Sequence, residues 1–212
     1  MNNYLVIDTT KFNSYISLAK GDKLQTVILD MQNKVSENLL PAIEKLLIAN
    51  DITINDIDCF GVVIGPGSFT GIRVGMATIK AFVTALGTKL VAFNAFECLA
   101  ENVGEGMIVE KSTNTTMYCA EVSNGVISAV SVLDTAVVAE SSKLEKCFCV
   151  AGEPIDETIN VIRLQNYGEQ IVKYAIKKAQ NGEFVDANIV EPYYVQLSQA
   201  EVQLLNKEKK NV

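Results

Sequence analysis

CFGVVIGPGSFTGIRVGMATIKAFVTALG, residues 59–87, changes its periodicity once. Cys59–Ile64 is a continuous apolar run of strand length. From Thr70 to Leu86 the large aliphatics recur at helical spacing, and Gly87 follows in a position suited to a helix C-terminus. Between them lies the turn Gly65-Pro66-Gly67-Ser68-Phe69-Thr70-Gly71. A buried strand that passes through a glycine-rich turn into a long helix is the βα unit of a parallel sheet.

Upstream, Tyr4–Asp8, Ser14–Lys20 and Leu24–Asp30 read as strands, with Gly21-Asp22-Lys23 as a hairpin turn. A helix is expected from about Ser36 to Asn50, with a kink or a later start at Pro41. Downstream, Leu90–Phe93 reads as a strand and Ala95–Val103 as a helix, which gives the order βββαβαβα and a mixed sheet with helices on its faces. Gly104-Glu105-Gly106 marks a boundary, dividing the chain into lobes 1–103 and 104–212. Beyond it Met107–Val109, Met117–Val122 and Val126–Leu133 again read as three strands, followed by a strand Cys147–Ala151 and a helix Tyr167–Asn181. The second half thus echoes the first in reduced form, although no sequence repeat is strong enough to prove duplication. From about Asn206 the chain is polar and lysine-rich, as expected of a frayed tail.

Among 212 residues there is no histidine. That removes Ser-His-Asp and Cys-His nucleophile activation, histidine acid–base chemistry and imidazole-dependent zinc sites. With 18 basic and 25 acidic residues the net charge is −7, which disfavours a broad phosphate-gripping surface, so a partner is expected to supply most of any field that holds nucleic acid. Five scattered cysteines without a CxxC point to a reduced, cytoplasmic setting. Cys147 and Cys149 share one strand face, where buried packing competes with a metal pair. The N-terminus lacks the features of a signal peptide, and no apolar stretch approaches a membrane span.

The turn at 65–71 stands where phosphate loops sit, because free N–H groups and the helix dipole attract anions there. Its spacing fits neither a Walker A loop nor a dinucleotide fingerprint, since Thr70 occupies the decisive position and no lysine follows. Gly65, Pro66, Gly67, Ser68 and Thr70 therefore suit a tight structural elbow, with Ser68 or Thr70 as N-cap, and anion binding is the alternative. Ser68 as a nucleophile would lack a base. Asp8, with Thr9 and Thr10, either caps the end of the first strand or holds a metal or phosphate, and Asp8 and Thr10 are the candidates for such a site.

Both long helices carry more apolar surface than one sheet requires. In the 70–86 helix Ile72, Met76, Ile79, Val83 and Leu86 form an aliphatic stripe, and Gly71, Gly75, Thr78, Phe82 and Ala85 a second face of mostly small residues. Together they span nearly twice the roughly 100° arc that a sheet-covering helix needs. In the 36–50 helix Leu39, Leu40, Ile43, Leu46 and Leu47 fill a similarly wide arc. Either the two helices only pack on each other and on one sheet, or they also build an intermolecular face. Leu39, Ile43, Leu46, Gly71, Gly75, Thr78 and Phe82 are the residues expected on that face.

LVIDTT at 5–10, SENLLPAIEKLL at 36–47, GPGSFTGIRVGMATIKAF at 65–82 and LGTKLVAFNAFECLA at 86–100 closely resemble the TsaB family of the bacterial tRNA threonylcarbamoyladenosine machinery. The resemblance covers residues 1–103, and beyond that only Tyr118 and Pro192-Tyr193-Tyr194 match. It implies an α/β protein of the ASKHA (actin, sugar-kinase and heat-shock-like) fold, with two RNase H-like lobes built on mixed sheets and the second lobe reduced. It further implies a non-catalytic subunit, without metal or cofactor, that pairs with a TsaD-like catalytic paralogue through the helices at about 36–50 and 70–86. A TsaE-like ATPase joins that pair, tRNA is met through the partner, and the product is threonylcarbamoylated adenosine 37 of tRNAs reading ANN codons. Alone, the same face is expected to pair with itself. The alternative function is an active ASKHA-type ATPase or phosphotransferase using Asp8. The chain departs from its relatives at Val35, at Lys111-Ser112-Thr113 in place of Asp-Ala-Arg, and at Gln196 in place of an arginine.

Overall fold

The computed structural model describes residues 2–30 and 35–196, so the lysine-rich tail expected from about 206 lies outside the described residues. The first sheet contains β1 (Asn3–Asp8), β2 (Asn13–Lys20), β3 (Lys23–Asp30), β4 (Cys59–Val63) and β5 (Lys89–Phe93), in the order β3-β2-β1-β4-β5. β1, β2 and β3 form an antiparallel meander with Lys20 opposite Lys23 across the Gly21-Asp22 turn, and β1, β4 and β5 run parallel. Parallel neighbours need crossover connections. α1 (Val35–Ile48) and α2 (Phe69–Leu86) supply them, and α3 (Ala95–Ala100) follows β5. α1 begins at Val35 and carries Pro41 inside it, so the expected late start is not taken. α2 ends at Gly87 in the left-handed conformation, with φ 64°.

α1 and α2 cover one face of this sheet. Leu39, Ile43, Leu46, Ile72, Met76 and Ile79 pack with Leu5, Ile7, Ile16 and Leu18. α2 is 18 residues long and, among the described residues, is long and apolar enough to cross a membrane. That corrects the expectation that no stretch approaches a span, yet here the helix lies on the sheet with a third of it buried. The opposite face, bearing Tyr4, Val6, Tyr15 and Ala19, is covered from the far end of the chain by α5 (Tyr167–Gln180), through Ile171, Val172 and Ala175. A Cβ on Gly61 would crowd both Val6 and Ala175, so glycine lets α5 seat closely on β4.

The second sheet contains β6 (Glu105–Lys111), β7 (Thr116–Ser123), β8 (Val126–Ile127), β9 (Ser131–Asp134), β10 (Cys147–Val150) and β11 (Val161–Leu164). Its order is β11-β10-β6-β7-β8, with β9 also on β7. β6 pairs antiparallel with β7 and parallel with β10, which pairs parallel with β11. The plan of the first sheet is therefore repeated, with α4 (Thr135–Ser141) in the place of α1. Residues 151–160 form turns where the first lobe has α2, which is how the second lobe is reduced. The strand expected over Val126–Leu133 is interrupted at 128–130 into β8 and β9, and α4 and β11 were not foreseen. After α5 the chain returns to the first sheet, where Val185 N–H donates to the Leu90 carbonyl at 2.9 Å and Tyr193 N–H to Ile64 at 2.8 Å.

Candidate functional site

The end of β1 meets the 65–71 turn. Asp8 is fully buried. Its Oδ1 accepts from Thr10 N–H at 2.7 Å and its Oδ2 from the Tyr167 hydroxyl at 2.6 Å, so both oxygens are engaged within the chain. Thr9 Oγ1 donates to the Gly71 carbonyl at 2.6 Å, and Ser68 N–H donates to the Thr10 carbonyl at 2.8 Å. Ser68, not Thr70, is the N-cap of α2, its Oγ accepting from Gly71 N–H at 3.2 Å, and Thr70 is exposed.

The glycines of the turn are spaces for backbone. A Cβ would overlap the Tyr193 carbonyl oxygen at Gly65, the Thr10 oxygen at Gly67 and the Thr9 oxygen at Gly71. An anion site presents N–H donors, whereas here carbonyl oxygens face the turn and the N–H groups of Ser68 and Gly71 are already bonded. Two of the donors that an anion at Gly65, Pro66, Gly67, Ser68 and Thr70 would need are thus used within the chain.

Beside Asp8 the two sheets are joined by charge. Lys11, 1% exposed, pairs with Glu110 of β6. Phe12 N–H donates to Glu153 Oε1 at 3.1 Å, and Arg163 Nη1 donates to the Glu153 carbonyl at 2.9 Å. The Lys11 ammonium also lies 5.4 Å from the centroid of the Phe96 ring. Burial alone would lower the Lys11 pKa, but Glu110, Asp8 and Glu153 outweigh it and hold the ammonium above its ordinary value. Burial raises Glu110 to about 8, with Lys11 opposing and Glu153 and Asp8 adding to the rise. Glu153 is raised too, by burial first. The Tyr167 hydroxyl is raised by burial and by the carboxylate of Asp8. Glu110 and Glu153, buried beside one ammonium, therefore hold their protons more tightly than they would in water.

Residue composition did not single out Lys11, Glu110 or Tyr167. Lys11 follows the Asp8-Thr9-Thr10 turn directly, which was the available signal, but Glu110 is 99 residues away and carries none. All five cysteines are buried and unpaired, and among the described residues no cluster of metal-ligating side chains occurs.

The expected partner face needs correction. Leu39, Ile43 and Leu46 are spent in the chain's own core, and Gly71 and Gly75 press against Thr9. A helical wheel shows width of apolar arc but not which part of it meets the sheet. Thr78 and Phe82 are half-buried, Phe82 stacking on Phe60 at 5.7 Å. The open side of α2 carries exposed Ala77, Ala81 and Ala85 with half-buried Val74 and Thr78 beside them, and α1 adds exposed Leu40 and Ile48. At the second sheet, two departures of the sequence meet in space, since Gln196 Nε2 donates to Ser112 Oγ at 2.8 Å and to the Tyr118 hydroxyl at 3.1 Å.

Two lobes that repeat one mixed-sheet plan, with an acidic residue ending the first strand, define an ASKHA-type protein. The family model described as TsaD, tRNA N6-adenosine threonylcarbamoyltransferase, matches residues 30–187, well over half of the sequence. The chain belongs to that family, and its relatives place it with the TsaB proteins. It is 31% identical over 99 residues to the tRNA threonylcarbamoyladenosine biosynthesis protein TsaB of Bacillus subtilis, covering 46% of this chain and 43% of that protein. With TsaB of Buchnera aphidicola subsp. Baizongia pistaciae it shares 25% over 112 residues, covering 52% and 51%. The chain spans about half the length of the curated relatives it matches. YeaZ from Pseudomonas aeruginosa has the same fold, with a TM-score of 0.72 at 19% identity over 92% of this chain and 100% of that one.

Proposed function

We propose that the chain is a non-catalytic subunit that dimerises with a TsaD-like transferase and supports threonylcarbamoylation of adenosine 37 in tRNAs reading ANN codons. The observation that carries this reading is the outward face of α2. Val74, Ala77, Thr78, Ala81 and Ala85 form a small-residue track on an apolar helix whose other side already covers a sheet. Small side chains let a second helix approach at the short end of the usual 8–10 Å separation. Leu40 and Ile48 of α1 widen the face. The carboxylate of Asp8 supports a non-catalytic role, because both of its oxygens already accept hydrogen bonds from within the chain, from Thr10 and Tyr167.

In this reading a TsaE-like ATPase joins the pair in the cytoplasm, tRNA contacts pass through the partner, and the isolated chain pairs with itself through the same helices. Depletion of the chain from its native cell should remove threonylcarbamoyladenosine from digested tRNA, as measured by nucleoside mass spectrometry, and re-expression should restore it. Unchanged modification after depletion refutes the assignment. The purified chain with magnesium and ATP should show no turnover. Hydrolysis lost on Asp8→Asn would establish the phosphotransferase alternative instead.

A further inference from the structure

The polar groups between the two sheets are almost all supplied by opposite lobes. Lys11, three residues past β1, reaches Glu110 on β6. Phe12 N–H reaches Glu153 beyond β10, and the Tyr15 hydroxyl stands 3.5 Å from the Ala151 carbonyl. Tyr167, at the start of α5, closes on Asp8. Lys11 has 1% of its surface exposed, so its ammonium meets no water as long as the lobes stay together.

We propose that Lys11 is the pin of a built-in latch: the chain's own ammonium occupies the cleft between the lobes, holds them shut as one rigid body, and closes the cleft to phosphate-bearing ligands. A buried charge that loses its partner is stranded, and hydrating it requires the lobes to part. Replacing both members by apolar groups removes the pair together, while Asp8 keeps its donors Thr10 and Tyr167 and Glu153 keeps Phe12 N–H, so the cleft can stay shut without the pair. A ligand phosphate entering beside Asp8 would meet Asp8, Glu110 and Glu153 with their single buried ammonium already committed. A fixed relation between lobes also suits a subunit whose contribution is a surface rather than a moving active site. The latch does not depend on that assignment, because it is read within one chain.

Hydrogen exchange of the full chain tests it, comparing wild type with Lys11→Met, Glu110→Gln and the double variant Lys11→Met/Glu110→Leu. Lys11→Met should raise exchange in segments 8–12, 105–111 and 150–153 by about a hundredfold, the scale expected when one member of a buried pair is removed. Glu110→Gln should do so less, and residues 90–93 and 117–120 inside the sheets should keep wild-type protection. The double variant should return the cleft segments close to wild type. Magnesium and ATP added to the wild type should change none of these rates. The proposal is overturned if Lys11→Met leaves the cleft segments protected, if it raises exchange evenly through both sheets, or if nucleotide protects the cleft. If Lys11→Met cannot be obtained folded, the double variant decides: a folded protein with a protected cleft supports the latch, and a double variant that is open or unfolded refutes it.

Discussion

Gly75→Ala is an informative small change in this molecule, because two principles predict opposite signs for it. In an uncrowded helix interior, alanine gains about 1 kcal/mol over glycine. At position 75 the added methyl overlaps Thr9 Oγ1, while Ile7 Cδ1 and Thr9 Cβ stand at an ordinary 3.5 Å. Thr9 must turn away, losing its bond to the Gly71 carbonyl, worth about 1 kcal/mol. Overpacking adds about 1–3 kcal/mol. The net expectation is a loss of about 1–3 kcal/mol, and in a chain of this size each kcal/mol lowers Tm by about 2–4 °C. The obstacle is one hydroxyl, so it can be removed. In a Thr9→Ala background the same Gly75→Ala change should stabilise by about 1 kcal/mol, a coupling of about 2–4 kcal/mol between the sites. Thermal and urea unfolding of the four proteins measure it. A Gly75→Ala that raises Tm on its own, or that behaves alike in both backgrounds, refutes the claim that this part of α2 is seated on the end of β1.

Neighbouring leucines on α1 should separate sharply: Leu39→Ala, in the core at 1% exposure, should cost about 2–5 kcal/mol by urea unfolding, and Leu40→Ala, 52% exposed, about 0.5 kcal/mol or less. Ser68→Ala should cost about 1 kcal/mol through loss of the N-cap, and millimolar inorganic phosphate should leave the wild-type Tm unchanged, whereas a phosphate-dependent rise lost in that variant would restore the anion-site reading. The pH response has a definite sign. Glu110 is held up at about 8, so the folded chain keeps a proton that the unfolded chain releases near its ordinary carboxylate range. Its stabilising contribution is present below that range and is lost as pH climbs toward 8. Glu153 acts in the same direction, Lys11 stays charged throughout, and the lowered Asp56, Asp156 and Glu183 titrate on the acid side of this window. Tm should therefore fall between pH 5 and 9, less steeply in Glu110→Gln. A rise over that interval contradicts the cluster as described.

The first lobe was legible because its signals are local. Gly21 and Gly87 take left-handed backbone where turn and helix end were placed, and the change of period at residues 64–70 fixed the βα unit. The second lobe was legible only in outline. α4 is a seven-residue helix, and β11 is four residues long, so neither announces itself. The site was harder still. Asp8 stands out in the sequence as the acidic end of the first strand, but its partner Tyr167 lies 159 residues on, and that contact comes from α5 crossing back to the first sheet. The wheel found excess apolar surface on α2 but not its orientation. Only the glycines against Thr9 show which small residues are consumed inside and which remain open.

The central claim is that the open face of α2 receives a catalytic paralogue. Analytical ultracentrifugation of the chain with the TsaD-like protein of its own cell, beside an Ala81→Arg variant, tests it most directly. Arginine at exposed position 81 should leave the chain's Tm within about 2 °C of wild type, as surface substitutions do. A one-to-one complex is expected for the wild type and separate species for Ala81→Arg. A wild type that stays apart from the paralogue, or a folded Ala81→Arg that binds it as well as the wild type does, contradicts that claim.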